Sequence, residues 1–298
     1  MTTVRLFLPA FLALLLVAAS PPAAAVAQTP VTSALHPPAS GKVQRITLRD
    51  GSELIGKITA VDSVRVTFES ALGITSIAIE SILSVVEEEP GEVRNGRYFF
   101  PNPNATRLIF APTGRMLRGG EGYFSDYWIF FPGIVVGVSD NVTMGGGISI
   151  FPGQNPSDQV WYVTPKFGVI QGPKFNAAIG ALAASVPSDN DHNTAGILYG
   201  VATWGGPDQS FTSGLGYGFV NGNVADSPVL MVGGETRPSP RISLVTENYM
   251  FPGGRNFTFS GGVRFMGRKV SVDLALAKFV TETDGFCCIP FLGFVWKW

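Results

Sequence analysis

Chemistry needs reactive side chains, and this chain offers few. Its 298 residues include two histidines and two cysteines. His36 lies in a Pro/Ala/Ser-rich stretch, and His192 follows Asp191 in a run punctuated by Pro, Asp and Asn. A hydrolase working at a lipid-facing wall would need a histidine paired with a serine there. His192 instead falls on an expected loop, so no catalytic residue is assigned. Cys287 and Cys288 are adjacent. Neighbouring cysteines can join each other only in a strained bridge, and no further ligands stand close in sequence to complete a metal site. The pair reads as a loop feature, with no metal or cofactor. Gly214-Leu215-Gly216-Tyr217-Gly218 has phosphate-loop spacing but sits inside a β-patterned run with no helix after it, so its glycines read as close-packed.

The more informative residues are seven charges embedded in alternating runs: Arg107, Lys166, Glu235, Glu247, Arg264, Asp273 and Lys297. A strand shows its side chains to opposite faces in turn. In 257–266, Phe257, Phe259, Val263 and Phe265 share one face, while Thr258, Ser260, Gly262 and Arg264 share the other. In 270–280, Val270, Val272, Leu274 and Leu276 oppose Ser271, Asp273, Ala275 and Ala277. If the apolar face meets lipid, the charges point into a lumen. A basic residue facing lipid at mid-plane costs roughly 2–4 kcal/mol, and the one charge on that face, Lys278, lies near a strand end where the cost fades. Mixed charges in a lumen make either an ion-pair network or a polar passage, and the sequence leaves both open. Arg264 and Asp273 flank Gly267-Arg268-Lys269, and counting outward from that turn sets them nearly opposite.

The elements that must carry these charges begin near Ala105. From there β-patterned runs alternate with Gly/Pro/Asn/Asp punctuation. Short connections (Asp140-Asn141, Gly172-Pro173, 205–208, 238–240 and 267–269) alternate with longer ones near 113–125, 152–159, 187–194, 221–228, 252–256 and 281–290. Short turns on one side and long loops on the other are the asymmetry of an outer-membrane barrel, and the runs count to about twelve strands. Their expected spans are 105–111, 126–139, 142–151, 160–170, 174–186, 195–204, 210–220, 229–236, 241–251, 257–266, 270–280 and 291–298, the second interrupted by Pro132-Gly133. The chain closes on Leu292, Phe294, Trp296 and Trp298, with Gly293, Val295 and Lys297 between them. This ending resembles the C-terminal signal of bacterial outer-membrane β-barrels. The resemblance implies recognition by the barrel-assembly machinery and a home among outer-membrane lipids of a Gram-negative cell.

Upstream, residues 1–27 read as a signal peptide: Arg5, the apolar run Leu6 to Ala19, and Ala25-Val26-Ala27 as the cleavage site. Residues 28–40 read as a disordered leader. Residues 41–89 form an alternating block with turns at Asp50-Gly51 and Asp62-Ser63. Five short strands, with Ile46, Leu48, Leu54, Ile58, Val66, Phe68 and Ile77 as core, suit a small SH3-like barrel. The run Leu48-Arg49-Asp50-Gly51, then Gly56 and Asp62, resembles the first motif of the Sm-like fold. RNA-binding members of that family carry an Asn shortly after the position of Asp62; here Ser63 to Phe68 hold none. That departure and the export signal imply a periplasmic docking module with a protein partner and no nucleic acid. Residues 90–104 read as a linker and 105–298 as the barrel.

Composition agrees with export and strands. Charged residues are 14 % of the chain, below the roughly 25 % of soluble domains. The net charge of −1 gives no pull toward nucleic acid. The expected class is all-β: a transmembrane barrel preceded by a small module, not an enzyme. The expected function is passive passage of small polar solutes, or alternatively a structural anchor whose module binds a partner.

Overall fold

Period-two runs dominate the chain, and strands dominate its fold. The computed structural model describes residues 34–88, 90–94, 97–188, 191–252, 257–280 and 288–298. The expected signal peptide, the start of the leader and Cys287 lie outside the described residues. Two compact units divide at Glu89 and Pro90.

The first unit holds β1 (Val43–Leu48), β2 (Glu53–Val61), β3 (Arg65–Ser70), β4 (Gly73–Ala78) and β5 (Ile82–Glu88), in the antiparallel sheet order β4-β3-β2-β1-β5. Its core is Ile46, Ile58, Val66, Phe68, Ile77 and Ile82, with Leu48 and Leu54 against it. Gly51 takes a φ of 85° in the β1–β2 turn, which a side chain would strain. In the β2–β3 turn the Asp62 carboxylate accepts the Val64 and Arg65 backbone N–H groups at 2.8 and 2.7 Å. Those donors hold its pKa below the usual carboxylate range. Part of the expected disordered leader belongs to this unit, because Leu35 packs on the core and Gln44 Nε2 donates to the His36 carbonyl at 2.7 Å.

The second unit opens with a ribbon, β6 (Glu92–Arg94) against β7 (Arg97–Phe99), where a plain linker was expected. Then come β8 (Gly122–Tyr127), β9 (Phe131–Ser139), β10 (Val142–Ile148), β11 (Trp161–Val163) and β12 (Lys166–Gln171). They are followed by β13 (Phe175–Ser188), β14 (Asp191–Gly206), β15 (Gln209–Val220) and the two-residue β16 (Asn223–Val224). The last are β17 (Val229–Ser239), β18 (Ile242–Met250), β19 (Phe257–Met266), β20 (Val270–Val280) and β21 (Ile289–Lys297). Neighbours pair antiparallel, β21 returns to pair with β8, and β9 pairs with β10, which closes the ring. Counting β11 and β12 as one strand interrupted at Thr164-Pro165, the described residues form a closed barrel of twelve strands.

The count agrees with the sequence, but two strands do not. Residues 105–111 are not a wall strand, and the expected strand 126–139 is two strands, β8 and β9. The break is a tight turn in which the Phe130 N–H donates to the Tyr127 carbonyl and Trp128 and Ile129 hold φ of 53° and 71°. Turns with two positive φ values ordinarily take Asn-Gly, so the sequence carried no punctuation there. β14 also starts earlier than expected, which moves His192 from a loop onto a strand.

Outward residues are apolar around the wall: Val138, Ile179, Leu198, Phe211, Phe259, Leu274 and Trp296 are all exposed. Rings cluster near the short-turn end, with Phe175, Trp204 and Phe211 in a chain of 5.2 and 6.0 Å contacts and Trp296 5.7 Å from Trp298. Monomers that live in water rarely show so continuous an apolar band. The seam between β21 and β8 is tight. The Trp298 N–H donates to the Gly122 carbonyl at 3.0 Å, and a Cβ at Gly122 would run into the Trp298 indole. Deleting Trp298, or replacing it with Asp, is therefore expected to stop closure. Unboiled wild-type protein should migrate apart from boiled protein in SDS, and the variant should lose that difference.

Candidate functional site

The lumen is defined by what fills it. Residues 100–120 enter the barrel from the short-turn end, reverse, and leave by the same end to start β8. The reversal is a narrow hairpin: Leu108 N–H donates to Ala111 O, Thr113 N–H to Thr106 O, and Arg107 bridges Pro112. Leu108, Ile109 and Ala111 are buried with Val201, Met231 and Val245 of the wall. Alternation in 105–111 is real, but both of its faces are indoors.

Arg264 is the hub. Its guanidinium grips Asp273 through Nε at 2.7 Å and Nη2 at 3.0 Å, and Glu235 through Nη1 at 2.9 Å. Nη1 and Nη2 also donate to the plug carbonyls of Asn104 and Leu108, at 3.1 and 2.6 Å. One fully buried side chain thus ties β17, β19 and β20 to the plug. The Arg264–Asp273 pair expected from the turn register is present, with the two residues directly opposite. The other inward charges hold the plug as well. Glu247 accepts the Phe110 and Ala111 N–H groups at 2.9 Å and the Tyr249 hydroxyl at 2.6 Å. Lys166 Nζ donates to the carbonyls of Thr106, Thr113 and Arg115 at 3.4, 3.3 and 2.7 Å. Arg107 belongs to the plug, not the wall. Lys297 stands apart near the turn end, paired with Glu121 at 3.1 Å. Leu292, Phe294, Trp296 and Trp298 take the opposite face of the last strand, away from the buried Phe291 and Val295.

Several residues of this site gave no sequence signal. Asn102 donates to Glu235 at 2.9 Å and Asn104 to Asp273 at 3.3 Å. Both stand in the expected linker, where an aperiodic stretch shows no facing. Arg115 donates to the Gly205 and Gly206 carbonyls, and a Cβ at Gly114 would meet the Asn176 backbone. Arg237 anchors the point where the segment enters. It donates to the Phe100 carbonyl at 2.7 Å, pairs with Asp208 at 2.8 Å and covers the Phe100 ring at 4.6 Å. Extending the Glu235 face by two residues would have found Arg237.

Between the plug and the long-loop end lies a cavity of about 720 Å3. Its lining is mostly apolar and includes Ile197, Val201, Met231, Tyr249, Ala275 and Phe291. Trp128 lines it from the strained turn, and its indole N–H donates to the Pro290 carbonyl at 2.8 Å.

His192 Nδ1 lies 3.2 Å from Ser185 Oγ. Ser185 and His192 pair in register with Thr194 and Pro187, on the same face as the exposed Leu198. A serine–histidine pair, which the expected loop placement of His192 had excluded, therefore exists on the outer wall. Ser185 also sits in two ladders, opposite Trp161 and Thr194. Its local backbone is committed to the sheet, not free to stabilise an oxyanion.

No protein-family model and no curated protein matches the chain. Solved structures share the barrel architecture at low identity. The KdgM porin in complex with disordered oligogalacturonate is 8 % identical at a TM-score of 0.44, covering 59 % of this chain and 96 % of its own. The NanC porin is 9 % identical at 0.37, covering 59 % and 97 %. OccK5 (OpdH) of Pseudomonas aeruginosa is 9 % identical at 0.33, covering 86 % and 95 %. These likenesses concern the fold alone and say nothing of cargo.

Proposed function

We propose that this is an outer-membrane barrel whose own N-terminal segment occludes the lumen and leaves a binding vestibule for small apolar or amphiphilic molecules. The cavity of about 720 Å3 above the plug carries this reading. It falls within the roughly 300–1,000 Å3 of ligand pockets, which are apolar with a few placed polar groups. An anchor would have no use for such a space. Passive passage of small polar solutes fits the same barrel only in a state where residues 101–118 leave the lumen. In line with the sequence, the first unit is placed in the periplasm as an Sm-like docking module for a protein partner, and the last strand as the handle for assembly. The apolar wall supports the membrane placement.

Full-length protein held in amphipol should bind dodecanol saturably in calorimetry. Filling the cavity with Ala184→Phe plus Ala277→Phe should abolish that binding while leaving the folded-barrel gel shift intact. Absence of saturable binding by the wild-type protein would remove the vestibule.

A further inference from the structure

Given a vestibule that takes amphiphiles, as proposed above, we infer that the Arg107 guanidinium is the receptor for the carboxylate of a single-chain fatty acid, whose tail lies along the apolar cavity. Arg107 lines that cavity, and its side chain is only 3 % exposed. Its Nε donates to Asn104 Oδ1 at 2.9 Å. Nη1 and Nη2, which are buried, have no hydrogen-bond partner. A buried donor left unmade is costly, and native structures rarely keep one without a purpose. Here two donor nitrogens of one planar group are idle together, which is the fork that meets a carboxylate through two parallel bonds.

The neighbours do not fill this role. Asp273 Oδ2 is 3.9 Å from Arg107 Nη2, too far for a hydrogen bond, and both its oxygens are engaged by Arg264. The Tyr127 ring lies 4.5 Å from the guanidinium carbon and covers one face without accepting an in-plane N–H. Glu247 is the acidic side chain among the described lining residues, and its carboxylate is already held by Phe110, Ala111 and Tyr249. Lys166 also lines the cavity, but its ammonium is held by three carbonyls. Of the two cations in the lining, Arg107 is therefore the one whose terminal donors lack a hydrogen-bond partner. A carboxylate would offer those donors two acceptor oxygens in one plane at the cost of a single negative charge. A phosphate monoester near −2 would leave an excess charge in a poorly hydrated site, which is unfavourable.

The test uses full-length protein in amphipol at pH 8, titrated separately with dodecanoate and dodecanol. Wild-type protein should prefer dodecanoate by about tenfold or more, the scale of one strong charge-assisted contact. Arg107→Gln should cost dodecanoate at least about tenfold and leave dodecanol within about twofold, and Arg107→Lys should restore part of the preference. Equal wild-type affinities, or an Arg107→Gln protein that keeps its preference, would overturn the assignment while leaving the vestibule standing. If neither compound binds the wild-type protein, the vestibule itself falls and Arg107 with it. Should Arg107→Gln fail to show the folded-barrel gel shift, the wild-type ratio alone decides, since a neutral head should then bind as well as a charged one only if Arg107 does nothing.

Discussion

Replacing residues 101–118 with a Gly/Ser linker of equal length should turn an electrically silent barrel into a conducting one. In planar bilayers the intact protein is expected to show no stable conductance, because the plug fills the short-turn half of the lumen and is bonded to the wall at Glu235, Glu247, Lys166 and Arg264. Without it the inward side chains on that half include Thr203, Thr212, Ser243 and Ser271, all small and polar, beside the charged hub. Water should fill such a space, since barrels of this size stand between packed eight-stranded cores and open porins. Step-like currents should then appear. Asp273→Asn added to the linker variant should shift selectivity toward anions, because Arg264 loses a counter-charge. The shift should shrink at high salt as screening grows. With the plug in place, Asp273 shapes the plug's seat through Asn104 and Arg264.

The second large effect concerns the hub. Arg264→Ala strands Asp273 and Glu235 in the interior and frees two plug carbonyls, and breaking a buried pair from one side costs about 3–5 kcal/mol. The urea midpoint of the variant should fall accordingly, and it should leak current while the barrel persists. Arg264→Met combined with Asp273→Asn and Glu235→Gln removes all three charges together. It should recover much of the loss, because replacing a whole buried ionic group is often nearly neutral. If the triple variant is as damaged as the single one, the charges do more than compensate one another.

Much of the wall was legible because it obeys a period of two with unlike faces. Arg264 against Asp273, and Leu292 through Trp298 against Gly293 and Val295, could be sorted by parity alone. Three features escaped for distinct physical reasons. The plug residues 105–111 alternate like a strand, yet both faces lie inside the barrel, and only long-range contacts reveal that. The turn at Trp128-Ile129 has positive φ without glycine or asparagine, so nothing in the residue types marks it. The cavity was hidden because Ile197, Val201, Met231 and Phe291 face inward as apolar residues. Where both faces are greasy, the contrast that parity depends on is lost. His192 was misplaced for a simpler reason: β13 and β14 extend well past the point where Pro187 and Asp191 suggested a loop.

Amide hydrogen exchange across residues 104–118 of the intact protein tests the central claim, that this segment resides in the lumen, most directly. The Phe110 and Ala111 N–H groups donate to Glu247 inside the barrel, and the Gly114 N–H donates to Thr203 at 2.9 Å. Peptides covering these amides should exchange as slowly as those of β19 and β20, and far more slowly than the 221–228 loop. Glu247→Ala should speed Phe110 and Ala111 selectively. Exchange across 104–118 at the rate of an open chain, in protein that still shows the folded-barrel gel shift, would contradict the account.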